Sequence, residues 1–238
     1  MDSRELLLMG IPALVAALGG VLAALWKPSR NARALIQHFA AGVILAALAV
    51  ELLPEIEREH APPWVLALSF ALGSLVMYGL KLATEHLEAQ AKRAGRAGRG
   101  KGLVIATFID VAVDGFIIGA GFAAGGATGL VLSIGLSVEL LFLGLALASD
   151  TTKGKTIIAL SSALGLVVMA MAVLGKLVLG GASHAVIGAV LACAAAALLY
   201  LVTEELLIEA HEVPEKPFSV LVLFGGFLAF WCVQLFGT

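Results

Sequence analysis

Two aspartates near the middle of an apolar segment are the residues of this chain best placed to do chemistry. The segment runs from Leu103 to Ala124, and Asp110 and Asp114 are four residues apart within it. On a helix this spacing puts both carboxylates on one face, where like charges repel unless a proton or a cation lies between them. A charge at the centre of a membrane helix costs about 2.5–3.5 kcal/mol. The pair therefore predicts a polar cavity that holds a cation.

A third acid is expected at the same depth. Glu139 lies near the middle of the next apolar segment, 129–149, and a short glycine-rich link joins the two segments. Helices joined by so short a link pack as antiparallel neighbours, so the three acids are predicted to converge. The alternative for each acid alone is a protonated or hydrogen-bonded structural carboxyl group, and for the stacked pair this alternative is weaker because apolar residues would serve the structure equally well.

The composition is that of an integral membrane protein. Of the 238 residues, 61% are hydrophobic and 13% are charged, and the mean hydropathy is +1.03. Because so much of the chain is apolar, the lipid bilayer is the expected surrounding partner. The net charge of -2 gives no overall attraction to nucleic acid. Cys193 and Cys232 both fall in apolar segments, which excludes a disulfide framework.

Eight segments are long and apolar enough to cross a bilayer, which predicts an all-α polytopic membrane protein with both termini on one side. They are spans 1 to 8, at residues 5–26, 34–53, 64–83, 103–124, 129–149, 157–179, 185–207 and 218–236. The basic residues of the links on the side opposite the termini are Lys27, Arg30, Arg33, Lys92, Arg93, Arg96, Arg99, Lys101, Lys153, Lys155 and Lys216. The other side has only Arg4 and Arg58 outside the spans.

This asymmetry predicts that the basic side is cytoplasmic and that both termini face outward across the plasma membrane, or across the inner membrane of a bacterium. The link at residues 85–102 is rich in Lys, Arg, Gly and Ala and has no apolar period. It is expected to be a mobile cytoplasmic loop.

Spans 2 and 7 end in similar acidic sequences although the two spans cross the membrane in opposite directions. The first contains Glu51-Leu-Leu-Pro-Glu55 and the second Glu204-Glu205-Leu-Leu-Ile-Glu209. This similarity predicts one transmembrane domain over residues 1–238, a 3+2+3 inverted repeat with spans 1–3 and 6–8 around spans 4 and 5. Glu51 and Glu205, the more deeply placed matching acids, are candidate further cation ligands, with interfacial helix caps as the alternative role for the terminal acids.

His38, near the cytoplasmic end of span 2, is a candidate secondary metal ligand or proton acceptor. The alternative is a histidine that forms an ordinary hydrogen bond at the membrane interface, which is the commoner role for a lone histidine at a span end.

The chain resembles the ZIP (Zrt/Irt-like) family of divalent-metal transporters. The resemblance rests on the order of the eight spans, the long link between spans 3 and 4, and two stretches of text, HFAAGVILAALAVELLPE at 38–55 and YLVTEELLIEAHE at 200–212. It implies transport of a divalent metal ion toward the cytoplasm, with zinc as the default metal. The family's His-Asn-x-x-Glu-Gly type motif on helix 4 matches Asp110, Val111, Asp114 and Gly115.

On helix 5 the family's metal motif matches Glu139 at its first ligand position and Leu140, Leu143 and Gly144 at the following ones. Because Leu143 replaces an acid here and Val111 replaces the Asn of helix 4, the resemblance implies one metal site rather than a bridged pair. Carboxylates alone suit harder ions such as Mn2+, Mg2+ or Ca2+ and tolerate Fe2+, so manganese, iron or cadmium are alternatives to zinc.

Two other functions remain open. Magnesium-dependent intramembrane lipid transferases use an Asp-x-x-x-Asp pair such as Asp110 and Asp114, although a second aspartate-rich motif is missing. A metal-sensing membrane protein would bind the ion without moving it. The sequence favours a transporter over an enzyme, and it leaves open whether two copies form a homodimer.

Overall fold

The computed structural model describes residues 2–26, 28–93, 101–146, 154–211, 213 and 218–237. Among these residues there is no β-strand, and eight helices are long and apolar enough to cross a membrane. The prediction of an all-α polytopic protein is therefore confirmed. The last three residues of predicted span 5, 147–149, lie outside the described residues.

The eight membrane helices are numbered here in chain order. They are α1, Ser3–Leu25 with a break at Gly10; α2, Arg30–Arg58; α3, Pro63–Arg93; α4, Lys101–Ala124; α5, Gly126–Ala146; α6, Gly154–Leu179; α7, which consists of His184–Tyr200, Leu201–Leu206 and Leu207–His211; and α8, Phe218–Gly237.

The loop expected at residues 85–102 is helical at both of its ends. α3 continues to Arg93, and α4 begins at Lys101. The extension of α3 consists largely of Glu, Ala, Gln, Leu, Lys and Arg, which are strong helix formers. The loop prediction is wrong for residues 85–93 and 101–102, and residues 94–100 lie outside the described part of the chain.

The helices form two packing sets, one of α2, α3, α7 and α8 and the other of α1, α4, α5 and α6. α2 lies along α8 and α3 lies along α7, while α4 packs on α6 and α1 packs on both α5 and α6. Exchanging 1 with 6, 2 with 7, 3 with 8 and 4 with 5 maps these contacts onto one another. A 3+2+3 inverted repeat would produce this pattern, and the repeat itself stays a prediction.

α2 and α7 share a local distortion at their acidic ends. α2 is π-helical over Leu48–Leu52, which includes Glu51, and α7 is π-helical over Leu201–Leu206, which includes Glu204 and Glu205. A π-helical turn closes on the fifth residue rather than the fourth and is frequent at functional sites. The two distortions occupy matching places in the similar sequences of the two helices.

Small residues bring α4 very close to α6. A Cβ atom added at Gly119 would lie 2.8 Å from the backbone N of Lys176 and 2.9 Å from the Cα of Gly175. Close approach of backbones through small residues is a main source of packing between membrane helices. The helix that carries Asp110 and Asp114 is therefore fixed against α6 by contacts in which a methyl group has no space.

We predict that Gly119→Ala destabilises the protein and that Gly79→Ala does not. Overpacking at a backbone contact costs about 1–3 kcal/mol, which corresponds to a fall of about 2–10 °C in the melting temperature of a chain of this size. Gly79 is the matched control, because a Cβ there meets nothing within 4 Å and replacing a helical glycine by alanine is favourable in itself. Thermal unfolding in detergent measures both, and equal melting temperatures would contradict the packing argument.

Candidate metal centre

The three acids singled out by the sequence meet in the interior. Asp110 and Asp114 of α4 and Glu139 of α5 each offer one carboxylate oxygen, and these oxygens all lie within 4.8 Å of one another. Asp114 is 2% exposed and Glu139 is 5% exposed, while Asp110 is half-buried. The predicted convergence is confirmed. These three residues form the candidate metal centre.

The register of the helical hairpin explains why they meet. α4 ends at Ala124 and α5 begins at Gly126, so Gly125 is the only residue between them. Its N–H donates to the carbonyl O of Gly121 at 2.9 Å, and its carbonyl accepts from Gly129 at 3.0 Å. Asp110 lies 15 residues before Gly125 and Glu139 lies 14 after it. At 1.5 Å per residue the two acids share one depth, about 21–23 Å from the turn.

The described part of the chain places no basic side chain in contact with this cluster. No described Lys, Arg or His forms an ion pair with any of the three acids. Asp114 Oδ2 and Glu139 Oε2 are buried and accept no hydrogen bond from a described residue. Buried carboxylates at this separation require a proton or a cation between them. A divalent ion that prefers oxygen ligands fits this donor set.

A cavity of about 630 Å³ connects the cluster with one side of the membrane. Asp110 and Glu139 line its inner end, and Arg30 and Arg33 at the start of α2 line its mouth. We call the side of Arg30 and Arg33 the basic side, and the side where α2 ends with Glu55 and Glu59 the acidic side. Asp114, the third acid, does not line the cavity. The cavity therefore ends at the cluster, which forms the blind end of the cavity.

The cavity wall carries two acids from α7, Glu204 and Glu205. Glu204 Oε2 is 2.6 Å from Nζ of Lys81 on α3, so an ammonium group neutralises it. Glu205 is exposed, lines the same cavity and adds its negative charge to the field at all three cluster acids. Glu205 thus lies on the route to the cluster without belonging to it, and its predicted role as a further ligand stays a prediction.

Glu51 lies away from the cluster. Its Oε1 accepts a hydrogen bond from Thr128 Oγ1 at 2.9 Å, and its Oε2 accepts one from Gln234 Nε2 at 2.7 Å. The residue is 7% exposed and lies in the half of α2 toward the acidic side. The structure therefore brings Glu51 to two neutral donors and not to the other acids, and a ligand role for it stays a prediction.

His38 is also separate from the cluster. Its Nδ1 is 2.7 Å from the carbonyl O of Ala34, one turn earlier on α2, and its ring packs edge-on against His211 at 5.5 Å between centroids. This surrounding matches the hydrogen-bonded alternative for His38, and its role as a secondary ligand stays a prediction.

The sequence analysis missed three residues that shape the site. Lys81, Thr128 and Gln234 contact acids that are 123, 77 and 183 residues away in the chain. Lys81 had one usable signal, since it is a lone lysine inside a predicted span. Thr128 and Gln234 are neutral residues that carry no such mark.

We predict that Glu139→Gln stabilises the metal-free protein and abolishes stabilisation by metal. Removing one of three adjacent acids lowers the cost of burying them together in the absence of metal, whereas it removes a ligand in the presence of metal. Thermal unfolding with and without MnCl2 or ZnCl2 measures both effects. At one hundred times Kd we expect the parent to gain about 5–10 °C.

Glu55→Gln is the matched control for this experiment. Glu55 is buried like Glu139 but pairs with the exposed Arg58 and lies outside the cluster, so its neutral variant should keep the metal-dependent gain. A Glu139→Gln protein that metal still stabilises like the parent would contradict the assignment of the metal centre.

Comparison with known proteins adds no relative to this picture. No protein-family model matches the chain, and no curated protein matches it. The function is therefore argued from the cluster, its cavity and its charges.

Proposed function

We propose that this protein carries a divalent metal ion across the membrane and releases it on the basic side, with Asp110, Asp114 and Glu139 as the binding site. The observation that supports this proposal most strongly is the cluster of three acids at the blind end of a cavity, with which no described basic side chain forms an ion pair. The carboxylates would replace part of the hydration shell of the ion.

The location of the cluster favours transport over a purely structural metal site. A structural ion is best enclosed on all sides, because exchange with water serves no purpose there. Here a cavity of about 630 Å³ reaches Asp110 and Glu139 from one side of the membrane, and Glu205 extends the negative field along it. A cation at the cluster would therefore leave through a wide cavity that passes Glu205 and ends at a mouth lined by Arg30 and Arg33.

The other side of the site supports a carrier rather than an open pore. Asp114 and Ile118, one turn further along the same face of α4, are buried at 2% and 0% exposure. An ion could pass to the acidic side only after the helices rearranged. The proposed transporter therefore exposes its site to one side at a time, as carriers with a site near the bilayer midplane do.

The identity of the metal follows from the donors and from the resemblance to ZIP transporters. Oxygen ligands alone suit harder ions such as Mn2+ and tolerate Fe2+, whereas zinc is the family's default metal and cadmium is a further alternative. The positive-inside asymmetry makes the basic side the cytoplasm, so the proposed direction is uptake across the plasma membrane or a bacterial inner membrane.

We predict that vesicles with the purified protein take up at least one of Zn2+, Mn2+, Fe2+ or Cd2+ and that Asp114→Ala abolishes this uptake. The change removes a buried ligand that no neighbouring side chain replaces. Asp110→Asn, which keeps the shape of the side chain but removes its charge, should reduce uptake at least tenfold and shift the preference among the metals. Ca2+ in the same panel tests selectivity against a larger ion.

Glu55→Gln serves again as the control with an intact cluster and should transport like the parent. Uptake by Asp114→Ala at the parental rate would refute the site. Metal-dependent stabilisation without uptake in any metal would refute transport and assign the protein to metal sensing, and release of phosphate or pyrophosphate from a lipid substrate with Mg2+ would assign it to the transferases.

A further inference from the structure

The side of the cluster that is closed has a defined contact at its edge. Thr128, in the first turn of α5, donates its hydroxyl proton to Glu51 on α2, and Gln234 on α8 donates to the second oxygen of the same carboxylate. Thr128 and Glu51 are both buried, at 2% and 7% exposure. Three helices thus meet at one carboxylate on the acidic side of the metal centre.

This contact joins the two packing sets of the fold. Glu51 and Gln234 belong to α2 and α8, which pack along each other. Thr128 follows the α4–α5 turn and belongs to the hairpin that carries the cluster, and this hairpin packs mainly on α1 and α6. A relative shift of the two sets would therefore have to break the hydrogen bond between Thr128 and Glu51.

The chemistry of the contact suits a bond that opens and closes. Both donors to Glu51 are neutral, so its charge is held by hydrogen bonds without an ion pair. Such charge-assisted bonds are strong in a dry interior, and losing a donor there leaves an unsatisfied buried charge. When the same region fills with water, the carboxylate is hydrated and that penalty disappears. The contact therefore favours the closed form without making the open form inaccessible.

The position of Glu51 in the π-helical turn agrees with such a role. The turn over Leu48–Leu52 interrupts the α-helical hydrogen bonding of α2 at the acid itself. Single π-helical turns within α-helices occur frequently at functional sites.

We propose that Glu51, held by Thr128 and Gln234, is a latch that keeps the acidic side of the site closed while the cavity is open on the basic side. This proposal rests on the proposed function only for the identity of the site that the latch closes. Closure itself is measured without metal and without transport. The group that closes the latch is the hydroxyl group of Thr128, which donates to Glu51.

Two reporter cysteines measure on which side the site is open. Leu143 lines the cavity, so Leu143→Cys reports opening on the basic side. Ile118 lies one turn beyond Asp114 on the same face and is 0% exposed, so Ile118→Cys reports opening on the acidic side. Both are made after Cys193→Ala and Cys232→Ala, since these two native cysteines are free. A charged thiol reagent is added to the metal-free protein in detergent.

We expect Thr128→Val to slow modification of the Leu143→Cys reporter at least threefold and to speed modification of the Ile118→Cys reporter by a similar factor. Thr128→Ser keeps the hydroxyl and should match the parent. Ser137→Ala is the control for losing a buried hydroxyl on the same helix, because Ser137 donates only to the carbonyl of Ser133 within α5. It should leave both rates unchanged.

Gln234→Met keeps the proposal testable if Thr128→Val does not fold, since it removes the second donor from a different helix and should shift both rates in the same directions. Parental rates at both reporters in a folded Thr128→Val or Gln234→Met protein would overturn the latch. So would equal shifts in Ser137→Ala. If the parent protein took up no metal while Thr128→Val or Gln234→Met still changed the modification rates of both reporters as expected, the result would count against the proposed function and not against the latch.

Discussion

The structure depends on one unfavourable arrangement, which is the placement of three carboxylate oxygens within 4.8 Å of one another in a low-dielectric interior, where no described basic residue pairs with them. Each of them would be stable in water, and none of them gains from the other two. Two features of the fold hold the three acids together. The one-residue turn at Gly125 fixes the register of the hairpin, and the glycine contacts of α4 with α6 fix its position in the bundle. The fold thus holds a site whose favourable state includes a positive ion.

The sequence was sufficient for this centre because the relevant information is local. Asp110 and Asp114 share a face through their spacing alone, and Glu139 reaches their depth because the turn at Gly125 is short. The boundaries of the spans follow from apolar length in the same way. The helical continuation of α3 to Arg93 was missed because its polar composition hides strong helix formers, which an apolar period does not detect.

The contacts around the centre were beyond reach for a different reason. Glu51 meets Thr128 and Gln234 across 77 and 183 residues, and this meeting depends on how whole helices pack. Matching text at the ends of spans 2 and 7 identified Glu51 and Glu205 as a pair, but the same text acquires different surroundings. Glu51 is buried under two hydrogen bonds, whereas Glu205 faces the cavity. A repeat in sequence therefore predicts equivalent places without predicting equivalent environments.

The difference between the two ends bears on the direction of the proposed transport. In each half an acid of the π-helical turn contacts the neighbouring helix: Glu51 accepts from Gln234 of α8, and Glu204 pairs with Lys81 of α3. The sequence match pairs Glu51 with Glu205 and not with Glu204, so these two contacts lie at neighbouring rather than equivalent positions, and one partner is a neutral amide whereas the other is an ammonium ion. The amide leaves the full charge of Glu51 on the acidic side, while Lys81 cancels the charge of Glu204 on the basic side. On the basic side Arg30 and Arg33 also line the mouth of the cavity. Under the proposed function, a cation would therefore be captured at the acidic side, where Glu51 is held by neutral donors.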